Sequence, residues 1–437
     1  MFEYFLKEIL HNHLTNMYRK LYNSSFTKSI NNESIDLARK NMDNVVYKTS
    51  LEFNERLSNI YNCNIYFKRE DQQKVRSFKI RGAFNKIYNL SDENKSNGVV
   101  CASAGNHAQG FGYSCKKLGI KGDIFIPEKT PIQKVNRIKK FSNGSCNIHM
   151  FGNSFDECLK ESLNFTKNFG KHFIHPYDDI DTIIGQGTIA KEIYEEITPD
   201  IIIGSIGGGG LMSGVGIYSK NLSDCIVLGA EPESCPSMKI SIKEKKIIDL
   251  KVHDYFVDGA TVSKVGYLTF KICQDVIDDI YKAPIGKICG DMLDLYQNEG
   301  IVLEPAGILP VSILDQVNNK EGKNIVCILS GGNNDITRYP EITERYLRYQ
   351  KLKHYYIIEF TQTPGQLKKF INNILGPNDD ITRFEYIKKT NRNMGNVLIG
   401  IQLIKSDDIH NIENKLSENK FNFIRINEND LLYSYLI

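Results

Sequence analysis

The sequence has almost no excess of either charge. Its 437 residues include 55 Lys and Arg against 52 Asp and Glu, so the formal net charge is only +3. Proteins that bind nucleic acid or an anionic membrane electrostatically usually carry a larger and more clustered basic excess. We therefore expect neither nucleic acid nor a membrane surface among the partners of this chain.

Long apolar runs are also missing. No segment approaches the length that a helix needs to cross a bilayer. The first 26 residues mix apolar, acidic and basic side chains, and they lack the continuous apolar core of a secretory signal. We expect residues 1–26 to form an N-terminal extension, either an extra helix or a frayed segment, and we expect the protein to be cytoplasmic.

The ten cysteines form no metal or disulfide pattern. There is no C-x-x-C motif, and the closest pair, Cys225 and Cys235, is ten residues apart. This spacing predicts free, mostly buried thiols in a reducing compartment. His172 and His175 have the spacing of metal ligands, but no Cys or acidic residue follows at a suitable distance, so we expect no metal site.

The chain is long enough for two or three domains. Between about residues 60 and 335, strand-like and helix-like segments alternate, which favours a parallel sheet covered by helices on both faces. Ligands of such folds bind at the carboxyl ends of the strands. The expected strands are Cys63–Lys68, Gly98–Ala102, Asp123–Pro127, Asp200–Ser205, Cys225–Ala230 and Asn324–Leu329, and the expected helices are Phe78–Tyr88, His107–Leu118, Pro131–Phe141 and one beginning at Leu211.

The pattern changes after about Arg338. The charged segment 341–353 predicts a linker helix, and the residues beyond it predict the β-α-β-β-α-β order of a ferredoxin-like unit at 354–437. The expected strands of that unit are His354–Thr361, Thr382–Lys389, Val397–Ile404 and Phe421–Asn427, and its expected helices are Gly365–Leu375 and Asp408–Asn419.

Lys79 has the most unusual surroundings in the sequence. It lies in the run SFKIRGA at residues 77–83, where a helix is expected to begin. Partial burial, the helix N-terminus and the nearby cations Lys68, Arg69 and Arg81 would lower its pKa and allow it to act as a nucleophile. An amine nucleophile indicates Schiff-base chemistry and a carbonyl cofactor such as pyridoxal phosphate. Most lysines are solvated surface charges, so this interpretation needs support from other motifs.

Three glycine-rich loops, each after an apolar run, supply that support. The loop ASAGNHAQG at 102–110 could hold a substrate carboxylate, although an ordinary strand-to-helix turn explains it more simply on its own. The four glycines at 207–210 suit a phosphate. The loop SGGNN at 330–334 begins with Ser330, whose hydroxyl could bond a pyridine nitrogen or cap a helix. Glu231 follows the four glycines at a distance that keeps a dinucleotide site open as a second interpretation.

Taken together, these segments resemble the fold-type-II pyridoxal-phosphate enzymes of the tryptophan synthase β group, and within that group the threonine dehydratase (threonine ammonia-lyase) family. The resemblance is carried by residues 77–83, 102–110, 207–211 and 330–333, and it extends from about residue 30 to the C-terminus. It implies an α/β catalytic domain at 27–340 with two parallel-sheet subdomains.

The resemblance also implies a role for each motif. Lys79 would hold the cofactor and later exchange protons at the substrate Cα, while Phe78 would pack against the pyridine ring. Asn106 would bond the 3′-oxygen of the cofactor, and Ser330 would face the ring nitrogen. The phosphate would lie against the backbone of Gly207, Gly208, Gly209, Gly210 and Leu211. The substrate carboxylate would lie against Ser103, Ala104, Gly105, Asn106 and His107.

The implied reaction is the deamination of L-threonine to 2-oxobutanoate and ammonia by β-elimination of water, the first step of isoleucine biosynthesis from threonine. A neutral Ser330 at the ring nitrogen would favour elimination over transamination. Related serine racemases have a second serine at the position of Ala104, so we expect elimination with hardly any racemisation. Two alternatives are a serine-preferring dehydratase or racemase of the same fold, and a nucleotide-binding regulatory protein with an amino-acid-sensing tail.

The C-terminal unit resembles the ACT-like regulatory domain of the biosynthetic subtype. The segment TPGQL at 363–367 opens a helix as the family's Pro-Gly-x-Leu does, and residues 376–386 also match the subtype that has a single such domain. The resemblance implies feedback inhibition by isoleucine and assembly as a homotetramer.

Overall fold

The computed structural model describes residues 30–388, 393–427 and 436. The N-terminal extension expected at 1–26, the end of one expected strand at Lys389 and most of the last ten residues lie outside this range. The described chain forms two compact units. The first runs to Ala283 and also includes Val302–Asn334, and the second comprises Pro284–Ile301 and the chain from Asp335 onward.

The larger sheet of the first unit has six strands, five of which are mutually parallel. They are β1 (Leu51–Phe53), β2 (Asn64–Arg69), β7 (Ile201–Ser205), β8 (Ile226–Pro232), β9 (Asp279–Ala283) and β10 (Asn324–Leu329). Their order is β1-β2-β10-β7-β8-β9, and β1 pairs with β2 in the antiparallel direction. Because helices cover both faces of a parallel sheet, its central strands are largely buried, as in β7, which begins with three isoleucines and is buried along its whole length.

The smaller sheet of the first unit has four parallel strands, in the order β5-β4-β3-β6. These strands are β3 (Val99–Ala102), β4 (Gly122–Ile126), β5 (Cys146–Met150) and β6 (His172–Phe173). The predicted fold class, two parallel-sheet subdomains in one catalytic region, is therefore confirmed.

The helices begin close to the residues that the sequence predicts. In chain order they are α1 (Asn32–Asn41), α2 (Glu55–Tyr61), α3 (Lys79–Tyr88), α4 (Asp92–Asn97), α5 (Asn106–Leu118), α6 (Ile132–Ser142), α7 (Phe155–Asn168), α8 (Ile180–Tyr194), α9 (Gly210–Lys220), α10 (Ser237–Lys243), α11 (Tyr267–Val276), α12 (Ile285–Glu299), α13 (Pro305–Ser312), α14 (Tyr339–Tyr349), α15 (Gln366–Asn373) and α16 (Asp408–Glu418). Within the described part of the chain, no helix is both long enough and apolar enough to cross a bilayer.

Helices α3 and α8 approach each other at two glycines. A Cβ atom on Gly185 would lie 2.6 Å from the carbonyl oxygen of Arg81, and one on Gly82 would lie 2.7 Å from the carbonyl oxygen of Thr182. Neither position tolerates a side chain at this backbone separation. The contact fixes the helix that begins with Lys79 against α8.

The second unit contains a four-stranded antiparallel sheet. Its strands are β11 (Lys353–Thr361), β12 (Asp380–Tyr386), β13 (Met394–Gln402) and β14 (Phe423–Ile426), in the order β12-β13-β11-β14. With α15 and α16 they form the predicted β-α-β-β-α-β unit, whose core includes Tyr356, Phe360 and Phe370. The linker helix predicted at 341–353 is shorter, because α14 ends at Tyr349 and Lys353 already belongs to β11.

Several elements were not predicted. Strands β1 and β6 have three and two residues, too few for a periodic pattern. Strand β5 lies at a sheet edge and is partly exposed, so it lacks a continuous apolar run. The buried helix α8 is apolar on most sides and contains two glycines. Its sequence therefore lacks the alternation of apolar and polar residues, every three to four positions, by which an amphipathic helix is recognised.

Candidate active site

The predicted site residues converge at the carboxyl ends of strands in the first unit. Ser330 directly follows β10, the four-glycine loop follows β7, and these two strands are neighbours in the larger sheet. The N–H of Phe78 donates to the carbonyl oxygen of Ser330 at 3.0 Å, which brings the start of α3 to the same edge. Phe78, Lys79 and Asn106 are half-buried, so this edge is partly open to solvent, and we refer to it as the cleft.

Lys79 is the first residue of α3, and its amine points at backbone and aromatic groups. Its Nζ donates to the carbonyl oxygen of Pro176 at 2.9 Å and lies 5.2 Å from the ring centre of Phe78 and 5.9 Å from that of Tyr177. Desolvation of the amine lowers the pKa of Lys79 to about 8, although the carboxylate of Glu304 opposes the shift. At pH 7 the amine is therefore neutral in about a tenth of the molecules, far more than at its ordinary pKa of 10.5.

The expectation that nearby cations lower the pKa of Lys79 is wrong. Arg81 donates to both Glu70 and Glu192, Lys68 pairs with Glu192 at 2.7 Å, and Arg69 pairs with Asp71 and Glu52. The charge of each cation is thus balanced locally. On a helix, residues i and i+2 face different directions, so Arg81 leaves the side of Lys79 although it is close in sequence.

The four-glycine loop has no room for side chains. A Cβ atom on Gly208 would lie 2.4 Å from the ring of Tyr177, and Gly209 has a φ of +92°, which other residues rarely adopt. Helix α9 begins at Gly210. The first N–H groups of a helix have no acceptor inside it, so the loop ends in an anion-binding helix terminus.

Two residues outside the predicted motifs hold this loop. Thr269 donates its hydroxyl to the carbonyl oxygen of Gly208 at 2.6 Å. Asp178 in turn accepts the N–H groups of Tyr267, Leu268 and Thr269 at 2.9–3.0 Å, which caps α11. Asp178 therefore holds the start of α11 in place, and Thr269 on that helix holds the four-glycine loop.

The first predicted loop lies between β3 and α5. Its N–H at Gly105 donates to the hydroxyl of Ser103 at 3.2 Å, and α5 begins at Asn106. His107 is buried, and its Nε2 contacts the carbonyl oxygen of Ile174 at 3.0 Å. Burial, together with the charge of Lys79, lowers the pKa of His107 to about 3, so the imidazole is neutral. Any contact of His107 with an anion would come from its backbone N–H.

Glu304 is a candidate site residue that the sequence analysis did not name. It is almost fully buried, and its Oε1 accepts from Nδ2 of Asn106 at 2.7 Å. Burial and the nearby Asp258 raise the pKa of Glu304 to about 7. A single acid in the apolar stretch IVLEPAG at 301–307 is the signal that could have drawn attention to it.

Glu231, which kept a dinucleotide site open, has a different role. Its carboxylate is buried and accepts the N–H groups of Met238 and Lys239 at 2.8 and 2.9 Å, so it binds the start of α10 instead of a ribose. His175 accepts the N–H groups of Tyr177 and Asp178 through Nδ1 and shapes the segment beside Lys79. All ten cysteines are free thiols, and nine of them are buried, as predicted.

Comparison with known proteins identifies the family to which the chain is similar. Residues 42–331 match the model of the family described as pyridoxal-phosphate dependent enzyme, and residues 344–436 match the C-terminal regulatory domain of threonine dehydratase. The biosynthetic L-threonine dehydratases IlvA of Staphylococcus epidermidis and Halalkalibacterium halodurans are each 48% identical to the chain, over 93% of its length and 99% of theirs.

The chain belongs to the threonine dehydratase family of pyridoxal-phosphate-dependent enzymes. Solved structures agree with this membership. Threonine deaminase isoform 2 of Solanum lycopersicum is similar to the chain with a TM-score of 0.67 and 33% identity, over 72% of this chain and 94% of that one. A maize serine racemase is similar with a TM-score of 0.68 and 30% identity, over 73% and 98%.

The residues of the cleft fit the cofactor of this family. The amine of Lys79 would carry its aldehyde carbon, and the loop beneath Tyr177 would receive its phosphate. Ser330 is 2% exposed at the end of β10, where a neutral hydroxyl would face a ring nitrogen. Among the described residues, the buried hydroxyl of Ser77 has no hydrogen-bond partner, although its backbone forms a bridge with Gly331 beside Ser330. Such an atom indicates a ligand or an ordered water molecule at that point.

Proposed function

We propose that the protein deaminates L-threonine to 2-oxobutanoate and ammonia by β-elimination of water. The observation that carries this proposal is the desolvated amine of Lys79, with its pKa near 8, in a cleft that also presents a glycine-lined helix terminus. Family membership and the names of the relatives support the substrate, since two bacterial relatives that are 48% identical to the chain are called L-threonine dehydratases.

Each part of the cleft has a defined task. The bound cofactor supplies the electron withdrawal that acidifies the substrate Cα–H. Lys79 takes the proton from Cα through Nζ, because its lowered pKa leaves the amine unprotonated often enough to accept it. The loop at 103–107 orients the substrate carboxylate with its backbone N–H groups. Phe78 and Tyr177 lie beside the amine and exclude water from it.

The position of Ala104 favours elimination over racemisation. Racemisation requires a second group that returns a proton to the opposite face of Cα, and a methyl side chain cannot do this. We therefore propose a dehydratase with hardly any racemase activity. The alternative, a serine-preferring dehydratase or racemase, is supported by the similarity to the maize serine racemase.

Two substrates and a chiral readout separate these functions. The holoenzyme is given L-threonine or L-serine, and the 2-oxo acid, ammonia and any Cα-epimer are measured. We expect 2-oxobutanoate from L-threonine at a higher kcat/KM than pyruvate from L-serine, with very little epimer. Formation of the epimer at a rate close to that of deamination would contradict the proposal.

We further propose that the C-terminal domain, at 354–437, makes the catalytic domain at 27–340 sensitive to isoleucine, and that the protein is a homotetramer. The match of residues 344–436 to a regulatory domain supports a small-molecule effector. Deleting the chain from Lys353 onward should preserve deamination and abolish inhibition by added isoleucine. Circular dichroism checks that the shortened protein folds, and retained inhibition would refute this assignment. Light scattering of the full chain tests the tetramer.

A further inference from the structure

Asn106 belongs to a chain of side-chain hydrogen bonds that crosses the cleft. Its Nδ2 donates to Oε1 of Glu304 at 2.7 Å, and its Oδ1 accepts from Nδ2 of Asn333 at 2.7 Å. Asn333 uses the same Nδ2 to donate to the carbonyl oxygen of Val75 at 2.9 Å. At the outer end, Nη1 of Arg137 donates to Oδ1 of Asn333 at 3.4 Å.

Chemistry determines the direction of every bond in this chain. The carbonyl oxygen of Val75 can only accept, and the guanidinium of Arg137 can only donate, so Asn333 must direct its NH2 group inward and its oxygen toward Arg137. The carboxylate of Glu304 accepts at the opposite end. Asn106 therefore has one possible amide orientation, with its oxygen toward Asn333 and its NH2 group toward Glu304.

This orientation determines what Asn106 offers to a ligand. The amide oxygen already accepts one hydrogen bond from Asn333, and one of the two N–H bonds on Nδ2 already donates to Glu304. The second N–H remains, so Asn106 is a hydrogen-bond donor toward the cleft. A rotation of the amide by 180° would place the NH2 group beside Asn333 and the oxygen beside the carboxylate of Glu304, where two acceptors repel each other.

We infer that Glu304 and Asn333 are positioning residues that hold the amide of Asn106 as a donor to the phenolic 3′-oxygen of pyridoxal phosphate. This inference rests on the proposed function and on the role toward the cofactor that the family resemblance implies for Asn106. A donor at that oxygen stabilises its anionic form and affects both the affinity for the cofactor and its absorbance. Neither Glu304 nor Asn333 touches the reacting atoms in this account, so both act through Asn106.

Asn333→Asp is the variant that should reverse the direction of the hydrogen bond between residue 333 and Asn106. An aspartate accepts where the asparagine donates, so the amide of Asn106 should rotate to bring its NH2 group to residue 333. We expect the apoenzyme variant to bind pyridoxal phosphate at least about tenfold more weakly, which corresponds to the loss of one hydrogen bond. We also expect an altered ratio of visible to near-ultraviolet absorbance in the variant saturated with cofactor.

Asn334→Asp is the matched control. It introduces the same carboxylate in the next residue of the same loop, and the side chain of Asn334 is also buried. Among the described residues, however, the amide of Asn334 has no hydrogen-bond partner, so it forms no hydrogen bond with Asn106. We expect Asn334→Asp to keep the affinity and absorbance ratio of the wild type. An equal loss in both variants would show that a buried charge alone causes the effect and would overturn the inference.

A double variant separates orientation from stability. Glu304→Gln alone should keep the native orientation, because a glutamine oxygen still accepts from Asn106. Added to Asn333→Asp, the same substitution gives the rotated amide a donor for its oxygen, so the thermal unfolding midpoint should partly recover. The cofactor affinity should stay low, because Asn106 still faces the wrong way. Recovery of both the unfolding midpoint and the cofactor affinity would show that these hydrogen bonds have only a structural role, and it would overturn the inference.

The same titrations distinguish this inference from the proposed function. Wild-type apoenzyme that takes up no pyridoxal phosphate, or a Lys79→Ala variant that keeps the visible band, would refute the proposed function itself. Wild-type affinity and absorbance in Asn333→Asp, with a normal Lys79→Ala control, would refute only the positioning roles.

Discussion

Lys79 and Arg81 lie two residues apart on one helix, and their surroundings are opposite. Arg81 is sealed in the protein, where it donates to both oxygens of Glu70 and both oxygens of Glu192 at 2.7–2.8 Å. Burial opposes its charge, but the two carboxylates outweigh burial and raise the pKa of Arg81. The described surroundings of Lys79 give its amine one carbonyl oxygen as a hydrogen-bond partner.

The difference indicates a structural role for the cation of Arg81 and a role in proton transfer for the amine of Lys79. The cluster around Arg81 also contains Lys68, and the two cations lower the pKa of Glu192 to about 2 against the effect of its burial. Every charge in the cluster is paired, so the cluster fixes α3 against α8 and takes no part in proton transfer. Lys79 is desolvated without such pairing, and this is the condition under which an amine exchanges protons near neutral pH.

The largest expected effect concerns activity. Lys79→Ala removes the residue that we propose as both the attachment point of the cofactor and the base, so deamination of L-threonine should fall by at least about a thousandfold. The visible absorbance of bound cofactor should disappear. Arg81→Lys provides the comparison, since it keeps a buried cation beside Glu70 and Glu192 and should retain the visible band.

The next effect concerns stability, where substitution of Arg81 should have a larger effect than substitution of Lys79. Arg81→Met leaves Glu70 and Glu192 buried without their main partner, and the free energy of unfolding should fall by about 3–5 kcal/mol. Lys79→Met in the cofactor-free protein removes a desolvated amine, and it should leave the free energy of unfolding unchanged or raise it. Urea unfolding of both variants measures the contrast. A large destabilisation by Lys79→Met would show that the amine is paired after all.

The pH dependence of stability follows from the lowered pKa of Lys79. Below about pH 8 the amine is protonated in both states, and its desolvation destabilises the folded protein in full. Between about 8 and the ordinary value of 10.5, the unfolded state binds more protons, so stability rises with pH. The rise has an upper bound of about 3 kcal/mol for the cofactor-free protein. It should be absent from Lys79→Met, and parallel pH curves for the two proteins would contradict the assignment.

The smallest effect comes from Glu304. Its carboxylate favours the charged form of Lys79, so Glu304→Gln should lower the pKa of that amine further, by up to about one unit. The rate of acylation of Lys79 in the apoenzyme, followed against pH by mass spectrometry, reports the shift. An upward shift would mean that the charge of Glu304 does not reach the amine.

The sequence predicted those features that depend on neighbouring residues. Runs such as Ile201–Ile203 are apolar because both faces of a parallel strand are buried, and glycines mark the loops that follow. The four-glycine loop and Ser330 were expected at the carboxyl ends of strands, where ligands of such folds bind, and the fold and family were recognised.

Features that depend on distant residues escaped prediction. Glu304 meets Asn106 across 198 residues of sequence, and Asn333 meets it across 227. Such contacts follow from the crossing of chain segments, which a pattern of residues does not contain. The cations near Lys79 differ from the expectation for a related reason, because residues that are close in sequence direct their side chains to different partners.

Borohydride reduction of the holoenzyme tests the central claim most directly. The reduction converts a lysine-bound pyridoxal phosphate to a stable amine, which peptide mass spectrometry then locates. We expect the pyridoxyl group on Lys79, in the peptide that also contains Phe78. A pyridoxyl group on Lys68 or any other lysine, or its absence from a protein that deaminates L-threonine, would contradict the account.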